Sequence, residues 1–86
     1  MVQHEPRVSG ARVRAMLEEA TQAEPGSLSS EQVLKELEGW DSLGVVMFIG
    51  LVLEHFALEI SVHEIRDCGT VAALEARLAA LAEARR

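Results

Sequence analysis

Few side chains in this sequence can do chemistry, and their spacing removes most reactions at once. His55 and His63 fall on either side of an expected helix end, and no cysteine or carboxylate constellation joins them, so no metal site is expected. Cys68 is the sole cysteine, which rules out an internal disulfide and suits a small, partly buried residue near a turn. No Ser/His/Asp set and no glycine-rich phosphate loop can be assembled. What remains is one hydroxyl. Ser42 lies in Trp40-Asp41-Ser42-Leu43-Gly44, at the seam between a polar connection and a run of eleven apolar or glycine positions, Leu43 to Leu53. Asp41 and Ser42 are both good N-cap residues. A serine in that place stands at the positive end of a helix dipole, where a covalently attached phosphate is electrostatically favoured.

The elements that must hold Ser42 read as helices. After a polar tail, residues 1–8, Ser9 or Gly10 can cap a helix reaching about Ala23, with Val13, Met16, Leu17 and Ala20 on one face and Arg12, Arg14, Glu18 and Glu19 largely off it. Pro25-Gly26 stops it. The connection from Glu24 to Asp41 is long, and a connection of that length in a small domain is usually functional or packed down. Within it, Ser29-x-x-Gln32 has capping-box form, and Val33, Leu34 and Leu37 can cover the core through a short helical stretch. Gly39 breaks that stretch, and Trp40 is expected to lie partly over the core.

The central helix is expected from Ser42 to about Ala57. Steps of about 100° per residue place Phe48, Val52 and Phe56 on one stripe, with Val45 and Ile49 beside them. Leu43, Met47, Gly50 and Glu54 form the opposite face, which is too apolar for plain solvent. Leu58-Glu59-Ile60 reads as extended, with Ile60 and Val62 as core plugs, and Ser61 can cap a turn from Val62 to Arg66. Thr70 caps a last helix, Val71 to about Ala84, that repeats Val71, Leu74, Leu78 and Leu81. There is no period-two strand signal and no internal repeat. Three main helices and one or two short ones make an all-α bundle, with residues 9–86 as a single domain.

Composition agrees. Eighty-six residues support one domain with a thin core, and 49 % hydrophobic with 26 % charged residues is ordinary for a folded chain. The formal charge of −6 argues against nucleic acid and against an anionic membrane surface as partners. The first residues lack the apolar segment of a signal peptide, and the apolar run is about half the length a bilayer requires. The expectation is a cytoplasmic, monomeric protein. Met1 and the Arg85-Arg86 end suit a free-standing product.

Gly39-Trp40-Asp41-Ser42-Leu43 before an apolar helix resembles the attachment site of acyl carrier proteins, a family that includes peptidyl and aminoacyl carrier domains. The initial helix, the long loop, Leu37, Glu54-His55-Phe56, Glu59-Ile60 and Thr70-Val71 fall where that family has them, so the resemblance covers roughly residues 9–83. It implies that a phosphopantetheinyl transferase modifies Ser42 with 4'-phosphopantetheine from coenzyme A. The thiol of that arm would carry an acyl or aminoacyl thioester between enzymes such as a ketosynthase, an acyltransferase or a ligase. The carrier itself would not be an enzyme.

The resemblance further implies that Asp41, Leu43, Gly44, Val46, Met47, Gly50, Glu54 and Ile60 serve recognition by the transferase or by partner enzymes. Many members make the helix after the serine acidic. Here Gly44, Met47 and Leu53 stand where acidic side chains are frequent, which points to a partner with an apolar groove, as in specialised polyketide or nonribosomal peptide pathways, of which the polyketide type is the leading expectation. The glycines at 44 and 50 would allow close approach by a partner helix or by the arm. Two alternatives stay open at this stage: a peptidyl or aminoacyl carrier of a nonribosomal peptide-type pathway, and, from another class, a small helical interaction module in which Ser42 is only a cap.

Overall fold

The computed structural model describes residues 8–84. Of the expected tail, residues 1–7 lie outside the described set, while Val8 packs against the core. Four α-helices follow in order: α1 (Gly10–Thr21), α2 (Ser42–Phe56), α3 (Val62–Asp67) and α4 (Val71–Ala84). A single 3-10 turn, Leu34–Glu36, interrupts the long connection between α1 and α2. The fold is a small all-α bundle of the kind the acyl-carrier resemblance implied.

Helix α1 packs against both α2 and α4. Its stripe of Val13, Met16, Leu17 and Ala20 is buried, and Phe48, Val52 and Phe56 of α2 and Val71, Leu74 and Leu78 of α4 meet it. Burying each large side chain contributes roughly 1.5–3 kcal/mol before entropy is counted. The guanidinium of Arg12 lies over the Phe56 ring, 5.5 Å from its centroid, and covers the open edge of this contact.

Helix boundaries follow their caps. Ser9 accepts from the Arg12 N–H and starts α1. The helix ends at Thr21, short of the expected Ala23, and it is not the proline that ends it. Gln22 turns into the left-handed region at φ 62°, and the N–H groups of Gln22 and Ala23 satisfy the carbonyls of Glu19 and Glu18. Ser61 and Glu64 form a reciprocal capping box on α3, and Thr70 accepts from the Ala73 N–H to start α4.

The connection is lashed down at both ends. Glu18, expected off the buried face, is buried because its Oε2 accepts from the N–H groups of Gly26 (2.9 Å) and Leu28 (3.1 Å). A buried carboxylate requires such partners, and here they are the backbone of the loop. Further along, Val33 and Thr70 form an antiparallel bridge, flanked by Leu34 N–H to Gly69 O and Val71 N–H to Gln32 O, each 3.0 Å. Arg14, Ser30 and Glu75 close a triangle of hydrogen bonds of 2.9–3.0 Å that ties α1, the loop and α4 together. The Ser29/Gln32 pair is formed only in part. Gln32 accepts from the Ser29 N–H at 2.6 Å, but the chain turns there instead of opening an α-helix.

Candidate functional site

The connection ends in a tight passage that sets the position of Ser42. Gly39 has φ 85°, and a Cβ there would lie 2.6 Å from the Thr21 carbonyl oxygen. Only glycine fits that conformation at that approach. Trp40 follows, half-buried, with its ring edge-on to Phe48 at 5.7 Å between centroids. The tryptophan therefore packs against the core, as the sequence led us to expect, and so fixes where the chain enters α2.

Of the two candidate caps, the structure selects Asp41. Its backbone is extended, its Oδ1 accepts from the Gly44 N–H at 3.0 Å, and its carbonyl accepts from the Val45 N–H at 2.9 Å. Ser42 is thus the first residue of α2, not its cap. Its side chain is exposed, and among the described residues its hydroxyl has no hydrogen-bond partner. The reading of Ser42 as a mere helix cap fails on this point, since the capping bond belongs to its neighbour.

The two faces of α2 separate as the spacing indicated. Leu43 is 68 % exposed and Met47 42 %, and Val46, Gly50, Leu53 and Glu54 also face outwards. Two of the expected recognition residues do not. Gly44 is buried, because a Cβ there would collide with the Gly39 carbonyl oxygen, so this glycine makes room for the protein's own loop and not for a partner. Ile60 is 4 % exposed and belongs to the core. Val62, expected as a core plug, is instead exposed on α3.

Beside Ser42 lies a half-open cleft of about 730 Å³, within the range of small-molecule sites. The loop supplies Leu34 and Lys35 to its wall, α2 supplies Ser42 and Val46, and α3 supplies Ile65 and Arg66. Cys68, buried, also lines it. Its thiol donates to the Glu64 carbonyl at 3.3 Å, and burial pushes its pKa up, aided by Asp67 and Glu64 and opposed by Arg77. The cleft also draws in Lys35 and Arg66, which sequence reading did not single out. Nothing local marks them, because they line one cleft only when the loop folds back onto α3. Among the described residues no group of histidine, cysteine or carboxylate side chains could hold a metal, and no helix is long and apolar enough to cross a membrane.

Comparison with known families agrees with this geometry. A family model described as the phosphopantetheine attachment site matches residues 11–78, and the chain belongs to that family of carrier domains. No curated protein and no solved structure matches the chain. Members of the family hold 4'-phosphopantetheine covalently and carry cargo on it as a thioester. They are carriers and not catalysts, and they work with a phosphopantetheinyl transferase and with biosynthetic enzymes. The residues present fit the group: an exposed, unengaged hydroxyl on the first turn of a helix, with a cleft at its side.

Proposed function

We propose that Ser42 bears the 4'-phosphopantetheine arm and that the chain carries acyl intermediates of a specialised, polyketide-type pathway. The observation that carries the attachment is the division of labour at the start of α2. Asp41 takes the capping bond, which leaves the Ser42 hydroxyl exposed and free to be modified. At that position the helix dipole stabilises an attached phosphodiester by roughly 0.3–1 kcal/mol. When bound, the arm supplies a thiol that forms thioesters; the protein supplies position. Asp41, exposed and adjacent, is the recognition residue for the transferase.

The test is intact mass after incubation with coenzyme A and a broad-specificity transferase. The expected result is gain of one phosphopantetheinyl group, lost in Ser42→Ala. A gain that survives that substitution, or no gain at all, overturns the assignment. Loading by an acyltransferase, and not by an amino-acid-activating ligase, then separates the acyl from the peptidyl reading.

The specialised character of the pathway rests on the outward face of α2 that holds Leu43, Met47 and Gly50, where Glu54 is the one charged residue. Leu43, Val46, Met47 and Leu53 are exposed where a helix in water would carry charges, which favours a partner with an apolar groove. Such an interface is small, so a central residue dominates it. Met47→Glu should slow transfer to the native partner at least several-fold without changing the mass gain; unaltered transfer kinetics would remove the groove.

A further inference from the structure

The cleft beside Ser42 carries charge of the wrong sign for the molecule that surrounds it. The chain as a whole is acidic, at −6. Yet the cleft wall holds two cations, Lys35 from the loop and Arg66 from α3, and one carboxylate, Asp41. Asp41 is already engaged with the Gly44 N–H at the start of α2. Neither cation has an ion-pair partner among the described residues, whereas Arg14 is paired with Glu75 and Arg12 sits on Phe56. Both belong to separate elements that the Val33–Thr70 bridge brings together, since that bridge fixes the loop against the segment following α3. The same wall includes apolar residues, Leu34, Val46 and Ile65 among them.

We propose that Lys35 and Arg66 form a cation pair that binds an oxyanion of the group attached at Ser42. This rests on Ser42 being the attachment residue. An apolar wall receives chain, and the two exposed cations that line the same cleft then select what polar group accompanies that chain. A guanidinium presents several N–H donors in a fixed plane and suits a carboxylate or phosphate, and an ammonium adds a compact second charge. Two groups can offer this chemistry. One is the phosphodiester that links the arm to Ser42; the other is a carboxylate on the cargo, which would make the pair a determinant of cargo class.

The experiment uses 15N-labelled full-length protein in four forms: unmodified, carrying the arm alone, and carrying the arm with a butyryl or a succinyl thioester. The two cargoes match in chain length and differ in the terminal carboxylate. The Arg66 Nε–H and Lys35 Nζ resonances are followed, with the 31P signal of the arm and the 13C signal of the succinyl carboxylate as reporters on the anion. If the phosphodiester is the ligand, both side chains shift when the arm is attached, and the 31P signal moves in Arg66→Gln and Lys35→Gln. If the cargo carboxylate is the ligand, the side chains shift with succinyl and not with butyryl, and the 13C signal moves in the same variants.

Side chains that the arm alone leaves unmoved and that both cargoes shift equally would mean apolar filling only and would overturn the proposal. So would resonances unmoved in all forms. Both residues are exposed, so the glutamine variants are expected to fold. Intact mass distinguishes the two levels of failure. A chain that cannot be loaded ends the attachment reading and this one with it, whereas a loaded chain with silent Lys35 and Arg66 ends this one alone.

Discussion

Gly44 and Gly50 occupy the same helix, and the same residue type does opposite things at the two places. Around Gly44 the space is taken: the Gly39 carbonyl lies where a side chain would begin, and the loop enters α2 across it. Around Gly50 a Cβ would meet nothing within 4 Å. The first glycine is part of how the molecule holds Ser42 in place. The second leaves an opening on the outward face of the helix, where the proposal places partner docking. If Ser42 is the attachment point, as proposed, its helix needs both a tightly built start and an accessible middle, and α2 divides them along its length.

Substitutions at the two glycines test this contrast most directly. Gly44→Ala should destabilise the fold by about 2–3 kcal/mol through overpacking against backbone that cannot move aside. It should do so despite the roughly 1 kcal/mol that alanine gains over glycine in a helix. A denaturation midpoint equal to that of the parent would show that the loop yields and that the tight start is not tight. Asp41→Ala comes next, at about 1 kcal/mol, the usual loss when an N-cap oxygen is removed. Chemical unfolding of the unmodified protein reads this without interference from recognition by the transferase.

Gly50→Ala should do the reverse, raising stability by roughly 0.5–1 kcal/mol because the site is open and helical. If partner turnover falls while stability rises, Gly50 is kept for approach; if turnover is unchanged, the opening has no function in docking. The smallest effect is expected across the cleft, where Ser42 is exposed and Cys68 is closed. Burial raises the Cys68 pKa in the folded state above its unfolded value, so the thiol stays protonated at neutral pH. Its contribution to stability is therefore complete below the unfolded pKa and is lost as pH climbs through the folded one. Iodoacetamide should alkylate Cys68 slowly in the native protein and rapidly once it is unfolded; equal rates would mean that the cleft floor is open.

Much of the fold was legible because its signals are local. The periodicity of Val13, Met16, Leu17 and Ala20, the stripe of Phe48, Val52 and Phe56, and the repeat through Leu74 and Leu78 each follow from helix geometry within one segment. The caps at Ser9, Ser61 and Thr70 are equally local, since each bonds an N–H three residues on. What could not be read were contacts between segments. The burial of Glu18 depends on two loop N–H groups that only the folded connection presents. The burial of Gly44 depends on where the Gly39 carbonyl arrives. Val62, expected in the core beside Ile60, opens α3 and stays exposed while Ile60 is buried.

The sequence by itself determined that this is an all-α carrier and that Ser42, at the head of an apolar helix, is its candidate point of attachment. Residue type and spacing decide those matters, because capping, dipole and amphipathic period act within a few residues. Only the tertiary structure decided that Asp41 and not Ser42 takes the capping bond. It alone showed that Gly44 faces inwards and that Lys35 and Arg66 share one cleft. The capping bond spans only three residues and is settled by the extended backbone at Asp41, whereas the other two depend on the loop folding back, and those distances have no counterpart along the chain.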